Sequence, residues 1–175
     1  MTSMASLPYD YQALGTFSQR LASAIFSAMP QLQASARMVH GGEQDGPSLQ
    51  LVVPSPTTGE AGACYVWVDE VATPTIGFGP WHMHKSATDD GIAAIVDSLG
   101  AVLQDTLVIV ENVGGDYPGA WSMLDLREPE ALMEHLTSRW SPGRGLLKSW
   151  SGKADHAVSV DDLSREISGS RAVAH

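Results

Sequence analysis

The chain has 175 residues and 43% of them are hydrophobic, a combination that suits one globular domain and argues against general disorder. Its 20 acidic and 10 basic residues give a formal net charge of −10, which disfavours non-specific binding to nucleic acid or to anionic membranes. Cys64 is the only cysteine, so an intramolecular disulfide is excluded and a reducing compartment is expected.

We expect neither a targeting segment nor a membrane segment. The opening residues MTSMASLPYDYQ contain no basic region and no apolar run, so they do not predict a signal peptide. No apolar stretch reaches the roughly 18 residues that a membrane helix needs. The simplest prediction is a cytoplasmic protein that binds neither membranes nor nucleic acid.

Residues 10–29 have the spacing of an amphipathic helix, with apolar side chains three and four positions apart. These side chains are Leu14, Phe17, Leu21, Ile25 and Ala28. Asp10 is the expected N-cap, and Pro30 disfavours helix at the residue before it. The conformation of residues 31–39 is left open.

Three strands are predicted next, over Ser48–Val53, Ala63–Val71 and Thr75–His84. In the third strand, Gly79 and Pro80 predict a bulge or an edge position.

The second helix is the most regular pattern in the chain. Its apolar positions from Ile92 to Leu103 follow helical spacing, and Ser86 or Thr88 is the expected cap. Leu107–Val110 then predicts a central strand with both faces covered. Further elements are predicted as a hairpin strand over Ala120–Leu126, a helix from Pro129, a strand over Leu146–Ser151 and a short helix over Val160–Ile167.

This order predicts an α+β fold, with an antiparallel or mixed sheet of about five to six strands and helices packed mainly on one face. We expect a single domain over residues 1–167, followed by a C-terminal tail over residues 168–175.

His82 and His84 form the first candidate site. On a strand both imidazoles project from one face, as in half of a metal site for zinc or another transition metal. A third ligand would have to come from Asp89, Asp90, Asp155 or His156. The alternative, which we favour, is that both histidines close a strand at the solvent boundary and hydrogen-bond locally.

The aromatic residues form the second candidate site. Tyr65 and Trp67 fall on one face of the second predicted strand, and Cys64 falls on the other as an inert buried thiol. The other candidate binding residues are Trp81, Trp121 and Trp150. An open aromatic face predicts a binding surface or an oligomer interface. The alternative is a second small core under the N-terminal helix or the loops.

Catalytic motifs are missing from the sequence. There is no nucleophile elbow, no Walker A sequence and no glycine-rich dinucleotide fingerprint. Asp89 and Asp90 would suit acid–base chemistry, but negative charge in the first turn of a helix is the favoured interpretation.

Four segments resemble those of small bacterial α+β proteins. They are GFGPWHMH, DDGIAAIVDSL, LVIVENVGGDYPGAWSM and LLKSWSGKAD. Some proteins of this type are similar to the immunity proteins that are paired with polymorphic toxins. The resemblance implies a non-catalytic protein that binds and neutralises a toxin domain, and it carries over no catalytic residue.

Three functions are therefore open. The leading hypothesis is a non-catalytic acidic module that binds a protein partner, such as a basic toxin domain, through complementary charge. The second is a metal-binding protein or metal-dependent hydrolase that uses His82 and His84. The third is a small-ligand module with a pocket near Tyr65, Trp67 and Trp81.

Overall fold

The computed structural model describes residues 6–40, 46–68, 73–112, 121–128, 144–153 and 155–159. The chain divides into two compact units, Met1–Gly100 and Ala101–His175. A single domain over residues 1–167 stays a prediction, because this division does not test independent folding. The predicted tail and the predicted helices from Pro129 and over Val160–Ile167 lie outside the described residues.

The first unit is built on a six-stranded antiparallel sheet in which each strand pairs with its neighbour in the chain. The strands are β1 (Ser6–Pro8), β2 (Ala36–Val39), β3 (Ser48–Ser55), β4 (Gly59–Val68), β5 (Pro74–Phe78) and β6 (Trp81–His84). The α+β class and the size of this sheet are confirmed. Neither β1 nor β2 was predicted, since each is too short to show an alternating pattern.

The first helix, α1, spans Thr16–Ala28 and not residues 10–29. Asp10 instead caps a short 3-10 helix over Tyr11–Ala13, where its carboxylate accepts a hydrogen bond from the Gln12 amide at 3.0 Å. The helix packs against β3, and there the Leu49 amide donates a hydrogen bond to Ser18 Oγ at 2.8 Å. This contact joins the helix to the backbone of the sheet.

The predicted third strand, Thr75–His84, is wrong, because it consists of two strands. Residues of β5 and β6 pair in antiparallel register, with Phe78 opposite Trp81. Gly79 adopts a φ of 57°, a conformation that glycine reaches without steric cost, and the chain reverses at Gly79–Pro80. The turn leaves β6 at the edge of the sheet.

The second helix, α2, spans Asp89–Leu103, with both aspartates in its first turn as predicted. Thr88 is the cap, since its Oγ1 accepts a hydrogen bond from the Gly91 amide at 3.2 Å. The helix ends before Asp105, whose φ is 57°.

The second unit carries a four-stranded antiparallel sheet in the order β10-β9-β7-β8. The strands are β7 (Leu107–Asn112), β8 (Trp121–Asp125), β9 (Arg144–Lys148) and β10 (His156–Ser159). β7 is central and buried from Leu107 to Val110, as predicted. The division of the strands into two sheets was not predicted from the sequence.

The predicted strand Leu146–Ser151 extends too far, because β9 ends at Lys148. The Ser149 amide donates a hydrogen bond to the Asp155 carboxylate at 2.7 Å. The Ser151 amide donates one to the Asp105 carboxylate at 2.8 Å. These two carboxylates hold the segment after β9 as a turn.

Candidate binding site

One face of the first sheet is buried, and the other carries partly exposed aromatic and polar side chains. Burial alternates along β4. Cys64 and Val66 are fully buried, whereas the next residue after each of them, Tyr65 and Trp67, is half-buried. This alternation confirms that Tyr65 and Trp67 share a face opposite Cys64. Burial raises the pKa of the Cys64 thiol to about 12, so the thiol is protonated and unreactive at neutral pH.

Cross-strand pairing assembles this second face, which we call the open face. Paired residues lie on the same side of a sheet, so two rows of side chains run across the strands. The first row is Arg37, Gln50, Trp67, Thr75 and His84, and the second is Val52, Tyr65, Gly77 and His82.

Tyr65 and Trp67 form an aromatic pair at the centre of the open face. Their ring centroids are 5.0 Å apart and their planes are inclined by 38°. The Tyr65 ring lies across Gly77, where a Cβ atom would come within 2.2 Å of the ring. Desolvation by burial, with a smaller contribution from Cys64, raises the pKa of Tyr65. Gly77 thus provides the space that lets this ring lie flat on the sheet.

A groove of about 430 Å³ opens beside the aromatic pair. Its lining residues are Arg37, Gln50, Val52, Ala63, Tyr65, Trp67 and Gly79. Among the described residues of this lining, Arg37 alone is charged at neutral pH, and none is a carboxylate. The described lining therefore contributes a positive charge to the groove of this acidic chain.

His82 and His84 project from the same side of β6, as predicted for a strand. Their ring centroids are 5.1 Å apart at 74°, and His84 Nδ1 is 2.7 Å from the Oγ1 atom of the fully buried Thr75. This contact is the local hydrogen bond that we favoured for His84.

A third metal ligand does not approach these histidines within the described part of the chain, where no group of three His, Cys, Asp or Glu side chains is found. Of the proposed partners, Asp89 pairs with Arg20, and Asp155 accepts hydrogen bonds from Ser149. The metal site stays an untested prediction.

The other three tryptophans predicted as binding residues lie in different parts of the fold. Trp81 is only 6% exposed and lies opposite Phe78 on the buried face of the first sheet. Trp121 lies on β8 of the second unit and is 37% exposed. Trp150 lies in the turn after β9, not on the predicted strand.

Five of the described residues that line the groove were not predicted as site residues: Arg37, Gln50, Val52, Ala63 and Gly79. Arg37 lies on the unpredicted strand β2, and Gln50 and Val52 lie on β3. Alternation was the available signal, since Ala36 and Met38 flank Arg37 and are buried. An alternation over three residues occurs often by chance. It identifies a strand here only because the register pairs Arg37 with Gln50.

No helix within the described residues is long and apolar enough to cross a membrane. No protein-family model matches the chain, and no curated protein or solved structure is significantly similar to it. Any proposal of function therefore depends on the fold and on the open face.

Proposed function

We propose that the protein is a non-catalytic binding protein and that the groove of the open face is its ligand site. The observation that carries this proposal is the Tyr65–Trp67 pair, which is half-buried beside a groove of about 430 Å³. Small-molecule sites have volumes of this order and combine aromatic walls with a few polar groups. Here the polar groups are Arg37 and Gln50.

The position of the pair on β4 favours binding. β4 is hydrogen-bonded to β3 on one side and to β5 on the other, so the backbone that carries both rings is held by two neighbouring strands. Rings that are already in place lose little conformational freedom when a ligand arrives. The unreactive thiol of Cys64 is consistent with a role that involves no nucleophile.

Nuclear magnetic resonance tests this proposal directly. Each of the five tryptophans has one indole N–H group, and a Trp67→Phe variant identifies the signal of Trp67. We expect members of a library of neutral, anionic and cationic aromatic compounds to shift the Trp67 signal. The shift should be lost in Tyr65→Ala and retained in Tyr11→Ala, which removes an exposed aromatic residue from elsewhere in the first unit. A library in which no compound moves the Trp67 signal would contradict the proposal.

A second candidate is the immunity-type protein that neutralises a basic toxin domain. The net charge of −10 favours it, because opposite charge speeds encounter and enforces specificity between partners. The groove does not favour this candidate, since the positive charge of Arg37 in its lining would repel a basic partner. Affinity capture from native cells tests this candidate. We expect a stoichiometric basic protein at low salt that high salt releases, and its absence would count against the candidate.

A further inference from the structure

The charge of Arg37 distinguishes the groove from the rest of this acidic chain. Within the described residues, Arg20, Arg127 and Lys148 each pair with a carboxylate, whereas Lys85 and Lys153 have no ion pair but do not line the groove. The exposed side chain of Arg37 lines the groove without a hydrogen bond or ion pair to any described residue. A guanidinium that keeps all its donors offers two parallel hydrogen bonds to a carboxylate or phosphate.

We infer that the groove binds a planar organic anion, with its ring against Trp67 and Tyr65 and its carboxylate or phosphate on Arg37. This inference rests on the proposed function and names the chemical class of the ligand. The ligand is a small molecule, because a groove of about 430 Å³ has the volume of a small-molecule site.

The register of the sheet gives the ligand its dimensions. Arg37, Gln50 and Trp67 are successive partners on β2, β3 and β4. Neighbouring strands are about 4.8 Å apart, so the Cα atoms of Arg37 and Trp67 are separated by about 10 Å. Gln50 lies between them and supplies both a donor and an acceptor. A ring joined to an acid by a short linker matches this row.

Local charge decides between anions and cations. Aromatic faces alone attract cations as well as planar rings, so the Tyr65–Trp67 pair would not by itself exclude a cationic ligand. Arg37 repels a cation and attracts an anion in the same groove. Since none of the described lining residues is a carboxylate, nothing in that part of the lining opposes this preference.

Calorimetric titration with three compounds of equal length tests the inference: naphthylbutyric acid, its primary amide and the corresponding amine. We expect the acid to bind about tenfold more tightly than the amide, and the amine to bind most weakly. Arg37→Gln should remove the preference for the acid, because it weakens the binding of the acid far more than the binding of the amide. Arg37→Lys should keep part of the preference for the acid, because the positive charge remains while the planar pair of guanidinium donors is lost.

Arg20→Gln is the matched control, since it removes the same charge from a different surface of the first unit and should leave all three affinities unchanged. Equal affinities of acid and amide, or a preference that survives Arg37→Gln, would overturn the inference. If either outcome is found and the amide or the amine still shifts the Trp67 indole signal, the inference about the anion fails but the proposed function stands. Failure of the acid to bind at all would also overturn the inference, and the full library would then decide on the proposed function.

Discussion

A single missing methyl group shapes the centre of the open face. An added Cβ at Gly77 would meet the Tyr65 ring at 2.2 Å, so a larger residue there must push the ring off the strand. The contact explains why a glycine lies in the interior of β5, where it would otherwise weaken the sheet.

We predict that Gly77→Ala lowers the free energy of unfolding by about 1–2 kcal/mol, as overpacking usually does. In a Tyr65→Ala background the same change should be neutral or slightly stabilising, because the ring is gone and alanine restricts the unfolded chain. Urea unfolding of the four proteins measures this coupling. Equal costs in both backgrounds would show that the ring does not rest on Gly77.

A second residue-scale prediction concerns Cys64. Its pKa rises from 9.0 to about 12 on burial, so the unfolded chain ionises first as the pH increases. The contribution to stability is complete below about pH 9 and is lost as the pH approaches 12, with a slope of about 1.4 kcal/mol per pH unit. Between about pH 9 and pH 12, the free energy of unfolding of the wild type should fall with this slope relative to that of Cys64→Ala. A difference that does not vary with pH would contradict the assignment.

At the scale of elements, Asp105 connects the end of α2 to the turn after β9. Its backbone has a φ of 57°, and its carboxylate accepts hydrogen bonds from the amide and the hydroxyl of Ser151. Both features lie in the second unit. Asparagine and aspartate tolerate this backbone conformation better than alanine does.

We predict that Asp105→Ala destabilises the protein by about 2–4 kcal/mol, since it loses two hydrogen bonds to a charged group and adds backbone strain. Asp105→Asn should cost less, because it keeps one acceptor oxygen and accepts the same φ. Thermal unfolding followed by circular dichroism compares the two variants. Equal melting temperatures for the two variants would contradict the prediction, because they would show that neither the acceptor oxygen of asparagine nor its tolerance of this φ contributes to stability.

The sequence predicted those elements whose pattern is both long and local. The helix from Asp89 and the apolar strand from Leu107 belong to this class. Gly79 and Pro80 predicted a bulge or an edge position, and β6 does lie at the edge of the sheet, but the turn between β5 and β6 was not predicted, because the same two residues suit a bulge and a turn. Alternation along β4 was enough to place Tyr65 and Trp67 on one face. The groove could not be predicted, because it depends on the register that brings Arg37 into line with Trp67 across β3.

At the scale of the whole molecule, net charge and local charge act on an anionic ligand in opposite directions. The net charge of −10 repels an anion at long range, whereas Arg37 attracts it on contact. Salt weakens the interaction between charges that are more than about 10 Å apart more strongly than the interaction between charges in contact. We predict that the association rate of naphthylbutyrate rises with ionic strength, and that the rate of its neutral amide does not. Stopped-flow fluorescence measures both, and an anion rate that falls with salt would contradict the prediction.

The order of strands in the two sheets has a consequence for how the chain folds. From β2 to β6 every strand pairs with the next strand in the chain, so this part of the first sheet can form as a series of hairpins, each closing a short loop. In the second sheet β7 must pair with β9, which joins Ile109 to Lys148 across a long stretch of chain. Closing a longer loop costs more entropy and slows folding. We therefore expect the backbone amides of β3 and β4 to become protected from solvent exchange before those of β9.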